Sequence, residues 1–323
     1  MIRQRNEAIA YMNELGQART PFIFFTNFEA TEAYVAKLPL KDSAVYFDIE
    51  GYRNYNPSTP TTIEIFPKHL SFQAFREAFD AIQQEINIGN SFLTNLTFSS
   101  PVKSSGTQLD IFHSTKALFK IYYQDHFVCF SPERFVSIDE SGQIASFPMK
   151  GTIDASLPDA ASRLLNDPKE IAEHVTIVDL IRNDLSRIAD QVHVPRFRYI
   201  DQIKSRQKDL LQVSSEVRGQ LDTNWQDQIG SILFELLPAG SISGAPKPKT
   251  VAMIHETETH DRNFYTGVCG IYDGKKLTSG VMIRFIEQTS NGLVYKSGAG
   301  ITAQSVAEKE YQEIRDKIYV PVS

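Results

Sequence analysis

Near the C-terminus three short apolar runs, Val268 to Tyr272, Leu277 to Glu287 and Leu293 to Ser297, are separated by Asp273-Gly274 and Ser290-Asn291-Gly292. Asp-Gly and Asn-Gly pairs enter the left-handed conformations that tight hairpins need, so the spacing predicts an antiparallel meander. Further runs of the same kind are Ala44 to Ile49, Phe92 to Phe98, Ala117 to Tyr123, Phe127 to Phe130, Phe135 to Ile138 and Ile144 to Pro148. They are short, rich in β-branched and aromatic residues, and bounded by turn formers. Two polar stretches, Gly51 to Thr62 and Ser100 to Gln108, read as long loops.

Helices separate the two strand groups. The clearest begins at Asp167-Pro168-Lys169-Glu170, where aspartate can cap, proline fits the first turn and glutamate completes a capping box; it is expected to reach about Ile188. A last helix opens with a box from Ser305 to Glu308 and carries Ala307, Tyr311, Ile314 and Ile318 on one face. Many antiparallel strands with helices at intervals imply an α+β fold. No repeat, low-complexity tract or linker divides the sequence, so residues 1–323 are expected to form one domain with an abbreviated N-terminal part, 1–70.

Composition narrows the class of partner. Apolar residues make up 41% of the chain and charged ones 22%, the balance of a soluble globular protein. A formal charge of -6 argues against nucleic acid, whose binding rewards a basic face. No long apolar run suggests a membrane span and no apolar leader opens the chain, so the expectation is a cytoplasmic protein with small-molecule or protein partners. Cys129 and Cys269 lie in separate apolar runs and are expected to be inert core residues.

Several residues carry chemistry. On the Asp167 helix, Ile171, Val175, Val178 and Leu185 form one stripe and Glu173, Ile177, Leu180 and Asp184 another. Glu170 and Glu173 suit either a solvated first turn or a desolvated site needing a cation. Glu310, Glu313 and Lys317 cluster on the last helix, where Glu313 and Lys317 have the spacing of an i,i+4 ion pair. If the two helices converge, their glutamates offer the hard oxygens that Mg²⁺ prefers. Arg284, read as part of a strand apolar on both faces, needs an anionic partner, either within the protein or a ligand carboxylate. The segments Pro238 to Lys247 and Ser297 to Ile301 place glycines where backbone amides can approach an anion. The first contains neither a P-loop nor a nucleophile elbow. Lys150, beside Gly151 in an apparent turn, is an exposed cation on composition alone, but Phe147, Pro148 and Met149 could desolvate it into a nucleophile.

Read in order, Ser131-Pro-Glu-Arg-Phe135, Pro148-Met-Lys-Gly-Thr152, Ala172 to Leu185, Gly240 to Lys247, Tyr265-Thr-Gly267, Ile283-Arg284, Ser297 to Ile301 and Glu310-Tyr-Gln-Glu313 resemble the chorismate-utilising enzymes. That family includes anthranilate, aminodeoxychorismate, isochorismate and salicylate synthases, and the resemblance spans about Phe72 to Lys317. It implies two large antiparallel sheets packed together, helices outside, and a site between them. It further implies Mg²⁺ on Glu173 and Glu313, with Glu170 and Glu310 behind. Gly151, Thr152, Ser241, Tyr265, Arg284, Gly298, Gly300 and Lys317 would surround the two carboxylates of chorismate, and Glu133 would be the general acid.

Within the family, a lysine before Gly151 resembles the aminodeoxychorismate synthases, in which it attacks C2 as the C4 hydroxyl leaves and ammonia then displaces it. Leu93 stands where water-using members carry a lysine, and where amine-using members often carry Gln. Ile153 replaces a frequent Arg. The resemblance thus implies amination of chorismate at C4 on the para-aminobenzoate and folate route, with ammonia from a separate glutamine amidotransferase. The alternatives it leaves are an anthranilate synthase component I and a non-catalytic chorismate-binding subunit.

Overall fold

The computed structural model describes residues 1–57, 62–203 and 209–321. Two large sheets form the framework, and every described strand pairing is antiparallel. The first runs, neighbour to neighbour, through Ile2–Gln4, Glu32–Lys37, Phe22–Thr26, Val268–Tyr272, Leu277–Val281, Arg134–Ile138, Gln143–Ser146, Leu210–Gln220 and Met149–Asp154, with Asp190–Ile203 also on Leu210–Gln220. The second runs through Gly244–Ala245, Leu93–Ser104, Gly292–Ile301, Phe285–Thr289, Phe127–Ser131, Phe119–Tyr123, Val45–Ile49 and Tyr52–Arg53, with Ile65–Pro67 on Leu93–Ser104.

The sheets meet face to face. Ile23, Phe25, Cys269 and Ile271 of the first pack with Phe47, Ile121, Cys129 and Phe285 of the second in one buried cluster. The outer face of the first sheet is closed by helices Arg5–Gln17, Pro168–Leu185 and Ile229–Leu236, which bring Met12, Ile177 and Leu233 against Phe24 and Val217. Helices Phe72–Asn87 and Ala307–Asp316 cover the second sheet through Phe75, Phe79 and Ile314 over Leu96 and Ala299. The α+β architecture of two packed antiparallel sheets flanked by helices is therefore present. No described helix is long and apolar enough to cross a membrane.

The expected three-run meander is divided. Leu277–Val281 belongs to the first sheet and Phe285–Thr289 to the second, and the chain changes sheets across Met282 to Arg284. The switch is fixed by Thr266 N donating to Met282 O and Phe130 N donating to Arg284 O, at 2.8 and 3.0 Å. Arg284 has φ 54°, so it is a corner and not a strand residue. Sequence alternation missed this because apolar residues stand on both sides of the corner. Ser100 to Ser104 continues the strand from Leu93, and a helix, Gln108–Ser114, follows. The Gly51 to Thr62 stretch contains the short strand Tyr52–Arg53, and positions 58–61 lie outside the described residues.

Candidate functional site

Lys150 lies in strand Met149–Asp154, where it pairs with Val213, and Thr152 pairs with Gln212. Gly151 is skipped between them. This is a bulge, which bends a strand and re-aims its side chains. Gly151 has φ +69°, which disfavours residues with a Cβ, and a Cβ there would lie 2.6 Å from Glu170 Oε2, which would have to shift. The turn expected at Lys150 is thus a bulged strand. Pro148, whose carbonyl accepts from Ser215 N at 3.0 Å, precedes it.

The bulge leaves the Lys150 amine 3.9 Å from Glu173 Oε2. It also lies 3.2 Å from the position a Cβ on Gly300 would take, and Leu93 Cδ1 is equally close to that position. The missing side chain at Gly300 is what admits the amine. Lys150 is thereby brought from the first sheet to the inner strands of the second.

Glu170 and Glu173 are positioned by helix Pro168–Leu185, whose start is capped by Asp167 Oδ1 accepting from Glu170 N at 3.1 Å. The buried face of this helix is Glu173, His174, Ile177, Val178, Ile181 and Leu185. Val175, expected on the apolar stripe, is 47% exposed, because the face follows i, i+4 steps from Glu173 and turns Val175 outward. His174 Nε2 lies 2.7 Å from Ser215 Oγ, which also accepts from Arg198 N at 2.9 Å. Ser215 therefore ties the helix of Glu173 to the strand beside Lys150.

Glu310 and Glu313 come from helix Ala307–Asp316. The predicted box at Ser305 does not form: Ser305 Oγ accepts instead from Thr302 N, at 3.1 Å, and Val306 is an N-cap without a side-chain bond. Glu310 is 1% exposed. Lys317 Nζ donates to Glu313 Oε1 at 2.6 Å and to Gly298 O at 2.8 Å, so the expected i,i+4 pair is also anchored on strand Gly292–Ile301. Burial lowers the Lys317 pKa, Glu313 opposes this, and the charges of Arg284 and Lys150 add to the lowering.

Among the described residues no three His, Cys, Asp or Glu side chains are gathered as a metal-holding group. Glu173 stands against Lys150 and Glu313 against Lys317. Glu173 and Glu310 are the two of the predicted carboxylates that are buried, and both carry the hard oxygen atoms that divalent cations such as Mg²⁺ prefer.

Apart from Thr152, the remaining predicted residues lie near the sheet switch or on the segments joined to it. Arg284 Nε is buried without a hydrogen-bond partner among the described residues, and the guanidinium lies 5.2 Å from the Tyr319 ring centre. Ser297 Oγ, beside Gly298, is likewise buried and unpartnered. Strand Phe285–Thr289 pairs with Gly292–Ile301 only as far as Lys296, so from Ser297 onward that edge of the strand carries Lys317 instead. Tyr265 is buried; burial pushes its phenol up, with Arg262, Glu258, Arg284 and Glu133 among the charges acting on it. Glu133 Oε1 accepts from Ser241 Oγ at 2.7 Å, which fixes the carboxyl and leaves its second oxygen for another partner. Thr152 is exposed. The two-sided apolar surroundings expected for Arg284 are replaced by this polar corner.

Behind the Gly298 strand, Thr97 pairs with Gly298 and its Oγ1 lies 3.2 Å from His260 Nε2. Burial lowers the His260 pKa from 6.5 to about 4; Glu258 and Glu287 oppose the shift, and Lys296 and Arg262 add to it. The folded imidazole is neutral where the unfolded one takes a proton, so stability rises with pH between about 4 and 6.5. Moving from pH 7 to pH 5 is expected to cost about 2 kcal/mol through this group. Urea unfolding at both pH values, with His260→Gln flattening the difference, checks it; an unchanged difference in the variant would exclude His260 as its source.

Sequence reading gave no role to Ser215, His174, Ser297 or Lys247, and named Asp184 only as part of a helix stripe. Asp184 and Lys247 both lie within the quoted motifs, but their 2.8 Å ion pair joins segments 63 positions apart.

A model of chorismate binding enzymes matches residues 14–323. Over 322 residues the chain is 48% identical to an uncharacterized PabA-like protein of Pasteurella multocida, covering 97% of this chain and 98% of the relative. It is 30% identical over 274 residues to aminodeoxychorismate synthase component 1 of Bacillus subtilis, covering 80% of this chain and 57% of that protein. The menaquinone-specific isochorismate synthase of Escherichia coli shares the fold, with a TM-score of 0.73 at 15% identity over 98% of this chain and 82% of the other.

Proposed function

The chain belongs to the chorismate binding enzymes, and we propose that within this family it aminates chorismate at C4, with Lys150 as a covalent nucleophile. The observation that supports the reading is the Lys150 amine beside Gly300 and Glu173, with Leu93 Cδ1 also against Gly300. On this reading the Lys150 amine is the nucleophile, and Leu93 stands where water-using members carry the lysine that activates water.

Arg284, Tyr265 and the strand Ser297 to Gly300 hold the pyruvyl carboxylate, and the Arg284 Nε is available for it. The Gly151 and Thr152 amides, Ser241 and Lys317 complete the cradle around the ring end. Glu173 and Glu313, with Glu170 and Glu310 behind them, would hold Mg²⁺, which supplies positive charge for the ring carboxylate. Lys150, as the free amine, forms a bond to C2 while both conjugated ring double bonds shift by one position towards C4 and the C4–O bond breaks. Glu133, held by Ser241, gives its proton to the departing hydroxyl, which leaves as water. Ammonia then bonds to C4, both double bonds shift back, and the C2–N bond breaks to free Lys150. The new ammonium returns one proton to Glu133. Atoms balance as chorismate plus ammonia giving 4-amino-4-deoxychorismate plus water.

A separate glutamine amidotransferase is the proposed ammonia source. Cys129 and Cys269 are buried, and burial pushes the Cys269 thiol up to about 12, so neither suits nucleophilic attack on glutamine. Purified chain with chorismate, Mg²⁺ and ammonium is expected to yield 4-amino-4-deoxychorismate without pyruvate, and glutamine alone is expected to give none. Anthranilate together with pyruvate would assign the chain to the other amine-using branch.

A further inference from the structure

The chain past helix Ala307–Asp316 is tied down along its length. Lys317 Nζ holds Gly298 O, Tyr295 Oη donates to Tyr319 O at 3.0 Å, and Lys116 N donates to Pro321 O at 3.1 Å. Ile318 is buried in one cluster with Phe130, Ile286 and Tyr295, and Val320 packs against the same cluster. Tyr319, between them, is left 45% exposed, and its ring centre lies 5.2 Å from the Arg284 guanidinium. The backbone of Tyr319 is thus fixed from both sides while its ring serves a residue of the sheet switch.

Arg284 is fixed at its root as well. Its backbone is the left-handed corner at φ 54°, and its carbonyl accepts from Phe130 N. A long, flexible side chain separates that corner from the guanidinium, so the tip needs a support of its own to stay in one place. The Tyr319 ring stands within the distance at which an aromatic face attracts a cation. A carboxylate in that position would consume both the charge and the donors. A ring consumes neither, and Arg284 Nε has no partner among the described residues. A guanidinium ordered in this way before a ligand arrives is preorganised for an anion.

We propose that Tyr319 is a positioning residue for chorismate: its ring holds the Arg284 guanidinium in the orientation that receives the pyruvyl carboxylate, so the ligand does not have to order that side chain. The proposal rests on the reading of Arg284 as the anchor of this carboxylate and adds the residue that keeps the anchor in place. The motifs quoted from the sequence stop at Lys317 and do not reach it.

Chorismate binding with Mg²⁺ present is measured by calorimetry on the parent chain and on Tyr319→Leu, Tyr319→Phe and Arg284→Gln, with a urea midpoint for each. Tyr319→Leu keeps apolar bulk and removes the ring face. It is expected to raise the Kd about fivefold, as when a ligand must itself order one long side chain. Tyr319→Phe keeps the ring and is expected to stay within about twofold of the parent. Both tyrosine variants should keep the parent's urea midpoint. Unchanged binding in Tyr319→Leu, a phenylalanine variant as weak as the leucine one, or a urea midpoint that falls together with affinity would overturn the role of the ring. If Arg284→Gln binds chorismate as the parent does, the reading of Arg284 fails and this proposal with it. Weakened binding in Arg284→Gln with Tyr319→Leu unaffected would remove Tyr319 alone.

Discussion

Lys150→Ala is expected to lower C4 amination by about 10³-fold or more, equivalent to about 4 kcal/mol of transition-state stabilisation, while chorismate binding persists. The change removes the amine that attacks C2, and among the described residues no other lysine lies against Gly300 to replace it. Lys317 is the nearest alternative by role, but its ammonium is tied to Glu313 and Gly298 O. Alanine keeps the backbone pairing with Val213, so folding should survive, as an unchanged urea midpoint would show. Mass spectrometry of the parent protein with chorismate and no ammonium should reveal an adduct on the peptide containing Lys150. Turnover that survives the substitution, or an adduct on another residue, would exclude Lys150 as the nucleophile.

A second large effect is expected from Arg262→Ala, this time on stability. Arg262 is 2% exposed and its guanidinium is completely engaged: Nε and Nη2 with Glu258 at 2.9 and 2.6 Å, Nη1 with Ile242 O at 2.9 Å, and Nη2 with Asn95 O at 2.6 Å. It also lies 4.3 Å from the centre of the Phe28 ring. Removing it strands the buried Glu258 carboxylate, and breaking such a pair from one side costs about 3–5 kcal/mol. The double change Arg262→Met with Glu258→Gln should cost less than Arg262→Ala alone, because no charge is left uncompensated. Urea midpoints at constant m-value decide the order; a double variant weaker than the single one would refute this account. Catalysis should suffer too, since Asn95 and Thr97, which this network holds, lie opposite Gly300 and Gly298.

The sequence showed most where strands are short and turns carry Gly, Asn or Asp. Val268 to Tyr272 appears with the predicted limits, and the strands near Val45, Phe127 and Arg134 differ by a residue or so. It showed less where burial is two-sided: Phe22–Thr26 is buried throughout, so it lacks the alternation that marks a strand, and the N-terminal part was read only as abbreviated. The long pair Asp190–Ile203 and Leu210–Gln220 escaped for a different reason. Its charged residues and Pro195 resemble loop, yet it supplies the register that places Lys150. Individual site residues were legible as motif members. Their convergence was not, because the meeting of Lys150 with Gly300 depends on a bulge in one sheet and a missing side chain in the other.

The corner at Met282 to Arg284 has a consequence for how a bound ligand would be sensed. One backbone carbonyl there holds the amide of Thr266 and another holds that of Phe130, which precedes Ser131 at the end of the second sheet's Phe127 strand. An anion seated on Arg284 would restrain both attachments at once. Amide hydrogen exchange at Thr266 and Phe130 would then slow in parallel, making this short segment a reporter of occupancy that needs no turnover.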